Sequence, residues 1–382
     1  MKIVVAADSF KGSMRSEEVG AVIADGLRQS LGGAEIKVIP VADGGEGTTD
    51  AVVRATGGEI REVAVTGPLG EPATARYGLS PDGRTAIMEM ASASGLELVP
   101  ADRLDPMKAT TFGTGEMIRA AVEEGVRAII LGIGGSATVD GGTGMAQALG
   151  YRLLTVAGSE CGRGGEALST IATIETDGVL PALADCRIRV ACDVTNPLLG
   201  ERGAARVFGP QKGATPEMVG LLEDGLANLA GVWQREGFLG GVESPGDGAA
   251  GGLGAGLRAF CNAEMSSGAD LVAEITGFDE EIRDAAILVT GEGRTDQQTA
   301  DGKLCAVLAA KARNAGASTI LISGALHGDL GELSGLFDAV FAAVQDVCTL
   351  DEAIGRGREN LSMTAKNVGR ILAMGRGLTE AE

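Results

Sequence analysis

Histidine is nearly missing from this chain. Among 382 residues there is one, His327, which excludes zinc sites built on two histidines and leaves a Ser-His-Asp hydrolase hanging on a single side chain. His327 follows the apolar stretch Thr319–Ile322 and reads as a partly exposed loop residue. Aromatics make up 3%, so Ala, Val, Ile and Leu must fill the core, as parallel α/β layers allow. The six cysteines include no C-x-x-C pair and read as small buried thiols of a reducing compartment. Basic residues are outnumbered, 32 Lys and Arg against 52 Asp and Glu, and they form no stripe, which argues against nucleic-acid binding. No apolar run approaches about 18 residues, and the N-terminal residues lack the apolar stretch of a secretion signal. A cytoplasmic protein without membrane contact is expected. The P-loop is absent, since Gly302-Lys303 lacks its upstream glycine and its following Ser or Thr, and so is the H-R-D motif of protein kinases. A net charge of −20 repels anions, so an anionic substrate needs a local basic site.

Glycine is what the chain has in excess, at 61 residues against an average usage of about 7%. Its glycines gather with acidic residues just after short apolar strands. Ile3–Ala7 runs into Asp8-Ser9-Phe10-Lys11-Gly12, and Val38-Ile39 precedes Asp43-Gly44-Gly45-Glu46-Gly47. Ala128–Leu131 precedes Gly132–Gly142, and Ala286–Val289 precedes Thr290–Asp296. Ile188–Ala191 adds a fifth such loop, with Asp193, Asn196 and Pro197. In open α/β sheets ligands bind beyond the carboxyl ends of strands. Glycine loops and helix N-termini suit phosphate oxygens. Carboxylates in the same loops would repel a bare phosphate and imply a divalent cation between. The pattern points to phosphoryl chemistry with a nucleotide and Mg²⁺.

The length allows two domains of about 100–200 residues each. Strand–helix alternation occupies both ends, while period-two alternation over about 60–92 marks an antiparallel region. The expected fold class is α/β: a Rossmann-like parallel-sheet domain built from both termini, 1–62 and 284–382, with an inserted mixed α/β domain at 63–283. Two sequential domains split near 150 are the alternative. A helix is expected from Ser16, acting as its cap, to about Ser30, and others at Thr114–Glu124, Pro216–Glu236 and about 300–314. Gly246–Gly256 is too glycine-rich for an ordinary helix. Thr290–Asp296 is expected as a tight turn presenting Glu292, Arg294 and Asp296.

Gly132–Ala137 fits G-x-G-x-x-A after a strand, and Glu160 is a loose match for the ribose contact of a dinucleotide site. Asp140 and the further glycines instead suggest a phosphate or metal loop. Lys11 offers a point charge to a phosphate or carboxylate. Asp43 and Glu46 could hold a cation or an alcohol, or cap the helix after Gly47.

Taken together, these motifs resemble the type 1 glycerate kinases over nearly the whole chain. The likeness rests on the Asp8–Gly12, Asp43–Thr48, Gly134–Gly142 and Asp193–Leu198 motifs. It continues through Phe208–Gly213, Pro245–Gly254, Thr290–Thr299 and Gly302-Lys303. It departs at Cys305, where the family tends to carry a proline. The resemblance implies ATP-dependent phosphorylation of D-glycerate, at the 2-hydroxyl, in sugar-acid catabolism, with 3-phosphorylation as the alternative and an active site in a cleft between two domains. On that basis the nucleotide and its phosphates are assigned to Gly134, Gly135, Ser136, Thr138, Asp140, Gly141, Gly291, Glu292, Gly293 and Lys303. Glycerate is assigned to Asp8, Ser9, Lys11, Asp43, Glu46 and Asn196. Asp193 and Asp296 are to hold Mg²⁺ or orient the attacking hydroxyl, while Lys11 and Arg294 grip the carboxylate or the transferring phosphoryl. Lys212 is a third cation for that task, although a lysine in a loop before a helix is ordinarily solvated. An NAD-dependent 2-hydroxy-acid dehydrogenase and a non-catalytic sensor of sugar acids are the competing readings, and the lone histidine argues against the first. Oligomeric state is not legible.

Overall fold

The computed structural model describes residues 1–42, 47–296, 304–328 and 331–379. Its strands, in chain order, are β1 (Lys2–Val5), β2 (Glu35–Val38), β3 (Glu59–Thr66), β4 (Pro72–Leu79), β5 (Thr85–Glu89), β6 (Ala128–Gly132), β7 (Arg152–Leu154), β8 (Thr173–Glu175), β9 (Arg187–Ala191), β10 (Glu264–Ser266), β11 (Ile287–Thr295), β12 (Ser318–Leu326) and β13 (Ala339–Ala342). The chain divides into two compact units. The first is Met1–Asp43, Arg54–Thr56 and Ala269–Glu382; the second is Gly44–Val53 and Gly57–Gly268. Both are α/β. Among the described residues no helix is long and apolar enough to cross a membrane.

The first unit is built on a five-stranded sheet in the order β13-β12-β11-β1-β2, parallel throughout. Ile3, Val4 and Val5 of β1 are all fully buried, as expected of a parallel strand covered on both faces. The helix Ser16–Arg28 places Val19, Ile23 and Leu27 against Leu361, Ala365 and Val368 of the C-terminal helix Gly357–Thr379. Gly26 is the contact point, because a Cβ there would lie 2.6 Å from that of Ala365.

Two local expectations fail in this unit. Ser16 is not the cap of its helix: Arg15 is, its N–H donating to Glu18 Oε2. The Ser16 hydroxyl turns inward, 2.7 Å from the Ala7 carbonyl and 2.6 Å from that of Val41. Nor is Thr290–Asp296 a tight turn. β11 continues through Thr295, paired with β12 as far as Leu326, because the neighbouring strand is equally long and its backbone groups need partners.

The second unit carries a six-stranded mixed sheet, β10-β9-β6-β5-β4-β3, and a two-stranded antiparallel sheet, β7-β8. β3, β4 and β5 are antiparallel neighbours, whereas β5, β6, β9 and β10 run parallel. The helix Pro216–Glu236 keeps its expected bounds. Thr215 caps it by accepting from Met218 N, and Gly237 ends it at φ 80°. Leu222, Leu226, Leu229, Val232 and Trp233 form its buried face, each large apolar side chain contributing roughly 1.5–3 kcal/mol. The glycine-rich stretch is irregular as expected: within Ala249–Cys261, residues Ala250, Gly251 and Gly252 are left-handed, with φ of 52°, 68° and 89°. That turn lets Gly251 press on the Thr138 carbonyl, where a Cβ would come within 1.9 Å of the oxygen.

Candidate active-site loops

In the first unit the candidate side chains stand where β1 and β11 run out. Asp8 N donates to the Gly291 carbonyl at 2.7 Å. Asp8 also accepts from the Ser9 N–H at 2.7 Å. Glu292 is almost buried, at 9% exposure, and accepts from Thr295 Oγ1 at 2.8 Å. β11 carries Glu292 and Arg294 and ends one residue before Asp296. Arg294 reaches Asp296 at 3.9 Å, and its side chain is 61% exposed. Gly293 passes under the turn that carries Lys11, where a Cβ would lie 3.2 Å from Phe10 Cα and 3.3 Å from Lys11 N. Lys11 itself is exposed. Behind β11, Thr290 donates to the Cys305 sulfur. Burial and the nearby carboxylates push that thiol far up, so Cys305 is an inert packing group. His327 is exposed at the end of β12. Asp43, Glu46 and Lys303 lie outside the described residues.

In the second unit the loop after β6 is exposed at Gly134 and Gly135 and buried from Ser136 to Gly142. Gly135 takes φ 73°, and the segment is pinned by Ala137 N to the Ser94 carbonyl and Leu96 N to the Gly135 carbonyl, at 3.0 and 2.8 Å. Asp140, expected as a phosphate or metal contact, is fully buried. Its carboxylate accepts from Thr110 Oγ1, Thr111 N, Thr111 Oγ1, Gly142 N and Gly144 N. These donors leave it no free face toward a ligand. Its part is to brace the loop. Burial raises its carboxyl against the pull of those donors. Asp140→Asn sets an amide N–H₂ against donors, so a loss of roughly 1–3 kcal/mol is expected. An unchanged urea midpoint would contradict that bracing role. Thr138 and Gly141 are likewise buried and shape the loop from within.

Lys212 departs furthest from expectation. It is 2% exposed rather than solvated, and Nζ donates to Ser136 Oγ at 2.6 Å and to the Thr138 carbonyl at 2.7 Å. Glu89, at the end of β5 and level with Gly132, went unnoticed in the sequence. It accepts from Thr49 N at 2.8 Å, at the start of the helix Thr48–Thr56, and burial pushes its carboxyl up. The available signal was its place as a carboxylate closing an apolar strand. After β9, the exposed Asp193 accepts from Gly268 N at 3.0 Å. Asn196 Nδ2 donates to the Arg202 carbonyl at 2.8 Å. Every acidic candidate offers only oxygen, which suits a hard cation. Among the described residues no three metal-ligating side chains converge, and Mg²⁺ commonly takes one or two carboxylates plus substrate phosphates.

With this geometry established, the chain can be set beside known proteins. The glycerate kinase family model matches residues 3–373. The chain is 47% identical to the glycerate 2-kinase of Escherichia coli (strain K12), over 98% of this chain and 99% of that one. It is 45% identical to the glycerate kinase of Bacillus subtilis (strain 168), covering 96% and 97%. A crystal structure of a protein described as glycerate kinase 2 from Salmonella typhimurium LT2, a designation given there as provisional, superposes with a TM-score of 0.91. The identity is 47%, over 99% of both chains.

Proposed function

The chain belongs to the glycerate kinase family, and from that premise we propose that it transfers the γ-phosphoryl of ATP to the 2-hydroxyl of D-glycerate, giving 2-phosphoglycerate and ADP in the cytoplasm. The observation that carries this reading is the near full-length likeness to a glycerate 2-kinase. The acidic and glycine-bearing ends of β1, β6, β9 and β11 supply residues of the right chemistry. A dehydrogenase reading has no support left.

Phosphoryl transfer demands position and charge neutralisation more than covalent chemistry from the protein. The exposed Gly134–Gly135 turn receives nucleotide phosphate oxygens on its backbone N–H groups. Asp193 and Asp296 are the carboxylates to hold Mg²⁺ or to orient the attacking hydroxyl; the cation would offset charge on the phosphoryl oxygens. As a carboxylate, either aspartate can accept the hydroxyl proton late in transfer. Lys11 and Arg294 supply the local positive charge that an acidic protein must offer an anionic substrate. A coupled assay of ADP release tests the activity: turnover should require D-glycerate, and ADP release indifferent to glycerate would refute it.

Lys11→Ala separates the two tasks open to that lysine. A charge-assisted hydrogen bond contributes about 1.5–3 kcal/mol, so loss of a carboxylate grip should raise the glycerate KM roughly tenfold or more with little change in kcat. A fall in kcat at unchanged KM would move Lys11 to the phosphoryl group.

A further inference from the structure

Next to the exposed Gly134–Gly135 turn lies a buried ammonium group. Lys212 closes the short turn Pro210–Lys212, and that turn is fixed from both sides. A Cβ on Gly213 would meet the Leu104 carbonyl at 2.5 Å, and one on Gly209 the Ala205 carbonyl at 2.3 Å. Two of the three ammonium donors are committed, to Ser136 Oγ and the Thr138 carbonyl. Gly251 covers that same carbonyl from another element. Removing a cation from water costs several kcal/mol unless other charge compensates. Among the described residues the charged group acting on Lys212 is Asp140. It acts through space, its own oxygens being taken up by the Thr110, Thr111, Gly142 and Gly144 donors. The other groups against the amine, the Ser136 hydroxyl and the Thr138 carbonyl, are neutral. An anion arriving at Gly134–Gly135 would therefore complete the compensation.

We propose that Lys212 is the positioning residue of the phosphate-binding turn: protonated, it holds Ser136 and Thr138 so that the Gly134–Gly135 backbone faces a nucleotide phosphate, and binding of that phosphate draws a proton from solvent onto Lys212. Burial pulls this lysine down to about 7, against the opposing pull of Asp140. The free protein near neutral pH is thus divided between the ammonium and the amine. The amine keeps two N–H groups for these two partners but loses the positive charge that strengthens both bonds, which loosens the turn. The inference rests on reading this loop as the nucleotide-phosphate site.

The test is titration calorimetry of the full-length protein with Mg·ADP at pH 6 and pH 8, in buffers of different ionisation enthalpy. At pH 8 the complexed nucleotide is fully ionised and takes up no proton itself. The expected result is uptake approaching one proton per nucleotide at pH 8 and a small fraction at pH 6, with affinity roughly tenfold weaker at the higher pH. In Lys212→Met the uptake should vanish and the residual affinity should lose its pH dependence, which a purely structural lysine would not produce. Binding without uptake at pH 8 in the wild type overturns the proposal whether or not the variant folds. So does undiminished uptake in a folded variant. Absence of Mg·ADP binding at either pH would overturn the nucleotide reading itself, and this inference with it.

Discussion

Asp193→Asn and Asp296→Asn should each lower kcat by roughly tenfold or more while leaving the thermal transition where it is. The substitution keeps shape and removes charge. Asp193 is exposed, and its Oδ1 accepts from Gly268 N, a bond the asparagine oxygen can keep. Asp296 stands just past β11 with Arg294 at 3.9 Å and its side chain 26% exposed, so its replacement disturbs no core. What each variant loses is a negative oxygen for the cation or for the attacking hydroxyl. Steady-state turnover with ATP and D-glycerate, beside a melt of each variant, checks this. Wild-type turnover in both would remove these aspartates from the mechanism. Asp8, whose N–H donates to the Gly291 carbonyl, and the neighbouring Glu292 would be the carboxylates to examine next.

Gly251→Ala should be severely destabilising. The residue sits at φ 68°, and an added Cβ would lie 1.9 Å from the Thr138 oxygen. Left-handed backbone costs an alanine about 1–2 kcal/mol, and forcing an atom into a packed site typically costs about 1–3 more. The sum, roughly 2–5 kcal/mol, is a large part of the stability of an ordinary domain. Relief by movement would displace the carbonyl that accepts from Lys212, so surviving folded protein should also bind nucleotide weakly. Gly220→Ala is the control. Gly220 lies within Pro216–Glu236 with nothing near its Cβ position, and alanine there should stabilise by up to about 1 kcal/mol. A Gly251→Ala melt matching the wild type would contradict the packing described here.

The strand ends of both sheets were legible because apolar runs such as Ile3–Val5 and Ile129–Leu131, fully or nearly fully buried, are bounded by glycine and aspartate. The helix Pro216–Glu236 was legible from its proline, its period and its closing glycine. What escaped the sequence was decided by partners distant along the chain. β11 runs on to Thr295 because β12 lies beside it. Ser16 spends its hydroxyl on the Ala7 and Val41 carbonyls instead of capping. Asp140 and Lys212 carry the residue types of a ligand site, yet their partners, Thr111 and Ser136, lie 29 and 76 residues away. Local spacing distinguishes a strand-end carboxylate from a core residue but cannot tell a bracing carboxylate from a binding one. That distinction depends on which donors the fold delivers.

The central claim is transfer to the 2-hydroxyl of D-glycerate, and ³¹P NMR of the purified protein with ATP, Mg²⁺ and D-glycerate tests it most directly. The expected result is loss of the γ-phosphate signal, growth of ADP, and a new phosphomonoester resonance that coincides with added 2-phosphoglycerate. A resonance coinciding with 3-phosphoglycerate would contradict the regiochemistry. Intact ATP in the presence of D-glycerate would contradict the assigned reaction as a whole.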